Sequence, residues 1–316
     1  MSTTMAITTS GLTKAYGQVQ ALRGVDLAVE QGQIFGFLGP NGAGKTTAIR
    51  CLLDLIRPQA GAIRVLGLDP QADPVAVRAR VGYLPGELSL DTNYTAEQTL
   101  RYFNNLRGNQ TDWNFVSRLA ERLHLNLAVP IKNLSKGNKQ KVGIVQALMS
   151  RPELLLLDEP TAGLDPLMQQ EVYRLLKEAR TDGATVFFSS HILSEVEAIA
   201  DHIAIIRDGL IVEEAEPHQL VSMTLRRIRI RFQEAVNPAP LADIPGVLLL
   251  AQNELHATVH PTVHATVQVE GELDGLIKAL AAYPVSDLET ERPSLEEIFL
   301  AYYEGEKAIE EVQDVG

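Results

Sequence analysis

The nine residues GPNGAGKTT (39–47) constrain this chain more than any other segment. They follow an apolar run, IFGFLG (34–39), and open an amphipathic stretch, TTAIRCLLDL (46–55). A strand, a turn of the form G-x-x-x-x-G-K-[ST] and a helix together make a phosphate-binding loop. Its glycines let backbone N–H groups curl around phosphate oxygens, and the helix N-terminus adds a favourable dipole. The candidate nucleotide-binding set is Gly39, Pro40, Asn41, Gly42, Ala43, Gly44, Lys45, Thr46 and Thr47. In this arrangement Lys45 reaches the β- and γ-phosphates and the Thr46 hydroxyl ligates Mg²⁺.

A second segment, LLLLDEP (154–160), supplies carboxylates. An apolar strand ends in Asp158 and Glu159, which as strand neighbours are expected to point to opposite sides. One then holds hydrated Mg²⁺ while the other faces the γ-phosphate and orients or deprotonates water.

From about residue 6 to 215 short apolar strands alternate with amphipathic helices; ATVFFSS (184–190) and IAIIRDG (203–209) are further clear strands. Near-continuous apolar runs suit strands covered on both faces of a parallel sheet. The stretch 90–150 reads as an inserted helical subdomain, with Thr95 and Gln98 forming a capping box. After about residue 217 the pattern changes. LRRIRIRF (225–232) alternates Ile228, Ile230 and Phe232 with Arg227, Arg229 and Arg231, the mark of a half-buried strand with a charged face. HATV occurs twice within 256–269 and reads as a pair of similar strands. A helix near 272–282, another from Ser294 with Glu297 completing its capping box, and a frayed acidic tail complete a small α+β domain. The expected domains are 1–217 and 218–316.

The formal net charge of −12 argues against a nucleic-acid partner, which needs clustered Lys and Arg. Apolar runs fall far short of the roughly 20 residues a membrane span needs. The N-terminus lacks a secretory pattern, and a single cysteine fits a reducing compartment, so a cytoplasmic location is expected. Cys51, on the helix leaving the phosphate loop, has no metal-binding companion; it reads as a small core residue near enough for a thiol reagent to disturb nucleotide binding. His256, His260 and His264, spaced by four, would share a face on a continuous strand. Pro261 disfavours that continuity, and a solvated strand face is preferred over a metal site.

With these motifs in place, residues 6–215 resemble the nucleotide-binding subunit of an ABC transporter. The resemblance implies a phosphate-loop ABC ATPase core: a mostly parallel α/β sheet, an antiparallel β subdomain and the helical insertion. LSKGNKQK (134–141) is similar to the family signature, keeping Ser135 and Gly137 but carrying Lys136 and Asn138; by resemblance it clamps a γ-phosphate held by a second subunit. GLDP (163–166) resembles the loop whose Asp165 meets the opposite subunit. His191 resembles the switch histidine that touches the γ-phosphate. Tyr16 lies where the family places an aromatic ring against adenine; packing on a neighbouring strand is its rival reading. The resemblance implies ATP and Mg²⁺, a homodimer or heterodimer closing head to tail on two nucleotides, and separate transmembrane (permease) subunits that hold the protein on the inner face of the membrane. The C-terminal PSLEEIFLAYY (293–303) resembles the extension of ABC-2-type exporter ATPases. An ATPase acting in translation or repair, or an importer subunit, is the alternative.

One departure stands out. In VGYLPGELSL (81–90) Gly86 falls where the family carries a glutamine that ligates Mg²⁺. Water in its place, the Glu87 carboxylate, or a turn serving only as a hinge are the three readings, ranked in that order.

Overall fold

The structure is a computed structural model, and it describes residues 4–109, 111–217, 226–234, 236–256, 261–269 and 273–291. The chain divides into two compact units, Met1–Pro217 and His218–Gly316.

In the first unit, alternating sequence makes long antiparallel strands: β1 (Met5–Tyr16) pairs with β2 (Val19–Glu30) on one side and β4 (Ala60–Val65) on the other. Uniformly apolar sequence makes the central strands. β3 (Ile34–Leu38), β6 (Leu154–Asp158) and β7 (Thr185–Ser190) are buried along their whole length. They join β5 (Val81–Leu84), β8 (His202–Arg207) and β9 (Leu210–Ala215) in a six-stranded sheet of order β5-β6-β7-β3-β8-β9. All neighbours run parallel except the edge pair β8–β9.

One face of this sheet, through Phe35, Phe37, Leu154, Leu156, Phe187 and Ile206, packs on helix α1 (Lys45–Leu52) and the antiparallel sheet. Phe35 and Phe187 stack with centroids 5.7 Å apart, worth about 1 kcal/mol beyond burial. Helix α2 (Pro74–Arg80), capped by Asp73, leads into β5. Between β5 and β6 lies the helical insertion: α3 (Ala96–Leu106), α4 (Trp113–Arg122) and α5 (Lys136–Leu148). The Thr95–Gln98 capping box is present at the start of α3. Arg122 on α4 is bound to Glu171 and Glu178 of α6 (Pro166–Thr181), tying the insertion to the core. Helix α7 (Leu193–Ile199) packs against β3 and β7.

In the second unit, β10 (Arg226–Phe232), β11 (Val247–His256), β12 (Pro261–Val269) and β13 (Val285–Glu291) form an antiparallel sheet of order β11-β12-β10-β13. Ile228, Ile230 and Phe232 enter a core with α8 (Asp274–Leu280), and Arg229 and Arg231 are exposed. The expected amphipathic strand is therefore present. Arg229 faces Glu289 and Arg231 faces Asp287 across the β10–β13 pair, an arrangement of opposite charges. The chain reverses between His256 and Pro261, which are cross-strand partners, so His256 and His264 sit on separate strands. The helix expected from Ser294, PSLEEIFLAYY and the acidic tail lie outside the described residues, as does His260.

Candidate active site

Parallel register brings distant segments to one edge. Leu38 lies beside Ser190, Asp158 beside Ser189 and Leu84 beside Leu157, so the segments leaving β3, β5, β6 and β7 converge. Open parallel sheets bind ligands at this carboxyl edge. The loop after β3 turns through left-handed glycines, Gly42 (φ 85°) and Gly44 (φ 112°). Helix α1 then starts with no capping side chain and no acidic residue in its first turn, which leaves its N–H groups and dipole available to an anion.

Lys45 is 5% exposed, and its Nζ donates to Gly39 O (2.6 Å) and Pro40 O (3.0 Å) while standing 3.8 Å from Glu159 Oε1. Burial lowers its pKa, and the negative charges of Glu159 and then Asp158 oppose that shift. Thr46 Oγ1 donates to Asp158 Oδ2 at 2.6 Å, and Ser189 Oγ donates to Asp158 Oδ1 at 2.6 Å. The Glu159 N–H donates back to Ser189 Oγ at 3.0 Å.

Strand alternation does not govern the carboxylate pair. The strand ends at Asp158, and Glu159 turns out of it with φ 50°, a conformation that costs a non-glycine residue about 1 kcal/mol or more. That turn swings Glu159 toward the phosphate loop, so both carboxylates reach it: Asp158 through Thr46, Glu159 beside Lys45. Glu159 Oε1 also lies 3.2 Å from His191 Nδ1. Sequence spacing placed the two acids together but on opposite sides; the backbone strain that reunites them is a tertiary product.

Ser135 caps α5, its Oγ accepting from Asn138 N at 3.2 Å, and Ser135 and Lys136 are exposed. A Cβ on Gly137 would stand 2.6 Å from Gly163 O, so only glycine lets α5 approach the GLDP loop this closely. Asp165 caps α6, Oδ1 accepting from Leu167 and Met168 N–H groups at 3.1 Å. Gln140, which the sequence did not single out, donates from Nε2 to Glu159 O (3.0 Å) and Pro160 O (3.1 Å) and so fixes the carbonyls flanking the acid. Its place one turn beyond Gly137, on the buried side of α5, is the only sequence signal.

Tyr16 is 48% exposed at the end of β1, opposite Val19 of β2, with the Lys14 ammonium 5.5 Å from its ring centroid. Cys51 is fully buried, and burial pushes its thiol up to about 11. The thiolate is therefore scarce at neutral pH, and thiol reagents are expected to label Cys51 slowly in the folded protein, which the kinetics of thiol modification would check. Among the described residues no cluster of three His, Cys, Asp or Glu groups is placed to hold a metal. Mg²⁺ needs no such cluster, because one or two hard protein oxygens suffice beside phosphate and water. The touching oxygens of Thr46 and Asp158 fit that requirement.

The register also puts Gly86 against Asp158: a Cβ there would lie 2.8 Å from Oδ2, the oxygen bound by Thr46. Glu87 is exposed. Gly86→Gln is therefore expected to lower ATP turnover by about fivefold, since displacing a hydrogen-bonded carboxylate costs roughly 1 kcal/mol. Glu87→Ala should leave the Mg²⁺ concentration for half-maximal rate within about twofold, below the effect of removing a charged ligand. A Mg²⁺ titration of phosphate release separates the two; a marked Mg²⁺ requirement in Glu87→Ala would favour that carboxylate as a ligand over water.

A family profile described as ABC transporter matches residues 22–162. The daunorubicin resistance ATP-binding protein DrrA3 of Streptomyces coeruleorubidus is 33% identical over 305 residues, covering 93% of this chain and 95% of the relative. The Nod factor export ATP-binding protein I of Ralstonia nicotianae is 32% identical over 226 residues, 70% of each chain. A solved structure of an ATP-binding subunit of an ABC transporter, 29% identical, superposes with a TM-score of 0.62 over 68% of this chain and 91% of its own. With a phosphate loop, strand-end carboxylates and a match running almost end to end, this chain belongs to the ABC transporter ATP-binding proteins and is an ATP-hydrolysing transport ATPase.

Proposed function

We propose that the protein powers export through separate transmembrane subunits, and that Glu159 is the general base of its ATPase reaction. The observation that carries the catalytic part is the convergence of Lys45, Glu159 and His191 within 3.8 Å steps beside the phosphate loop. Lys45 gives up its carbonyl partners for β- and γ-phosphate oxygens. Glu159 accepts a proton from the attacking water, and His191 holds the γ-phosphate and steadies Glu159 through the Nδ1 contact. Tyr16 offers its exposed ring to adenine. Thr46 and Asp158 would hold Mg²⁺, which when bound neutralises charge on the phosphates.

Ser135, Lys136, Asn138 and Asp165 lie around the α5 start and GLDP loop, which abut at Gly137. Such a surface suits a second ATPase subunit, homologous or identical, closing head to tail over the nucleotide. Among the described residues no helix is long and apolar enough to cross a membrane; the relatives, named as ATP-binding proteins of transport and export systems, support a partner permease that holds this subunit at the inner face of the membrane. Relatives named for drug resistance and for Nod factor export support the outward direction. Co-expression with a candidate permease tests the reading: co-purification and permease-dependent ATPase activity support it, and recovery with ribosomes instead overturns it.

The unit boundary at Pro217 gives a further expectation. Every nucleotide motif precedes it, so a chain ending there should bind ATP with Kd within about threefold of the parent, under 1 kcal/mol, and change in dimerisation or coupling. Fluorescent-nucleotide titration, with ATPase rate followed against protein concentration, checks both parts. A folded truncation unable to bind ATP would contradict this.

A further inference from the structure

Glu195 is a buried carboxylate that the reaction as described does not use. It lies on α7, 8% exposed, and its hydrogen-bond partners among the described residues are two buried hydroxyls. Thr161 Oγ1 donates to Oε1 at 2.5 Å, and Ser190 Oγ donates to Oε2 at 2.5 Å. Thr161 belongs to the turn that follows Glu159, a turn closed by Ala162 N to Glu159 O (3.2 Å) and Leu164 N to Thr161 O (3.1 Å). Ser190 immediately precedes His191, and its Oγ also accepts from Ile192 N at 2.9 Å, so the hydroxyl spans the histidine. A carboxylate kept out of water is costly unless its oxygens are satisfied. Here each oxygen is spent on one of the two turns that carry the Glu159–His191 pair.

We infer that Glu195 is a positioning residue that locks the turn after Glu159 to the turn holding His191, and so sets the contact between them. The inference rests on the roles given to Glu159 and His191 above. Neither oxygen faces the phosphate loop through these bonds, so the effect is on turnover and not on nucleotide affinity. A displacement of about 1 Å between two reacting groups costs up to 10²-fold in rate.

The test uses the full-length chain, with phosphate release for kcat, fluorescent-ATP titration for Kd and circular dichroism for folding. Glu195→Ala is expected to lower kcat about tenfold or more with Kd for ATP within about twofold. Glu195→Gln should recover most of the rate, because an amide accepts from one hydroxyl and donates to the other. Ser190→Ala, which leaves the Thr161 bond in place, should reproduce the kcat loss if Glu195→Ala folds poorly. On a His191→Ala background, Glu195→Ala should add less than about twofold, since coupled groups are not additive.

A parental kcat in both folded Glu195→Ala and Ser190→Ala, beside an inactive His191→Ala, overturns this inference alone. Losses that multiply with His191→Ala, or that appear equally in Kd, also overturn it by showing a general structural effect. A His191→Ala variant hydrolysing at the parental rate overturns the histidine's role first, and the inference with it.

Discussion

Replacing Glu159 with glutamine should reduce ATP turnover by at least about 10²-fold while nucleotide binding survives, the scale expected when a positioned general base is lost. Glutamine fills the same volume and keeps an oxygen that can remain near His191 Nδ1, now 3.2 Å from the carboxylate. It also removes a negative charge from beside the site of the γ-phosphate, so affinity for ATP should hold or rise. The left-handed backbone at this position (φ 50°) is held by Gln140, Ser189 and the Thr161 turn and does not depend on the carboxylate. The variant should therefore fold. Phosphate release at saturating Mg-ATP, set beside a binding titration, reads the two effects separately, and size-exclusion chromatography with ATP should show a longer-lived dimer. Parental turnover would remove Glu159 from the reaction.

Lys45→Ala should act on the opposite quantity. Its ammonium is buried, and in the free protein it is held by the Gly39 and Pro40 carbonyls and the nearby Glu159 charge. Phosphate oxygens replace those partners without fresh desolvation of the amine, which makes the lysine a prepaid contact. A hydrogen bond to a charged group contributes roughly 1.5–3 kcal/mol, so ATP affinity should fall about 10- to 150-fold. Because alanine also removes the stem beneath the loop, Lys45→Met is the better partner variant: it keeps the packing and loses only the cation. Equal losses in both assign the effect to charge. Affinity unchanged in both would contradict the phosphate-loop assignment.

Much of this was legible because the chemistry is written locally. A phosphate loop is nine contiguous residues whose glycines, lysine and threonine have their roles fixed by backbone geometry within one turn. LLLLDEP announces a buried strand ending in acids, and the alternation of Ile228, Ile230 and Phe232 with arginines fixed which side of β10 is buried. Thr95 and Gln98 identified their helix start for the same reason, since a capping box closes over three residues.

Other features required the fold. Nothing near Asp158 in sequence says that Ser189, Thr46 and Gly86 touch it; the parallel register of β3, β5, β6 and β7 does. The period-two rule separated Asp158 from Glu159, and a left-handed residue held by neighbours from α5 and β7 brought them back to one site. Gln140 and Glu195 look like any polar residue on an amphipathic helix until burial and long-range hydrogen bonds mark them. The equal spacing of His256, His260 and His264 would put them on one face only along a continuous strand, which Pro261 disfavours, and His256 and His264 lie on separate strands. Sequence by itself determined the phosphate loop, the apolar strands and the residue types of the site, because each depends on neighbours within a turn or a strand. Only the tertiary structure decided which side chains meet, because most of those contacts join segments far apart in the chain, such as Thr46 with Asp158, Glu159 with Ser189 and Thr161 with Glu195, through strand order and register.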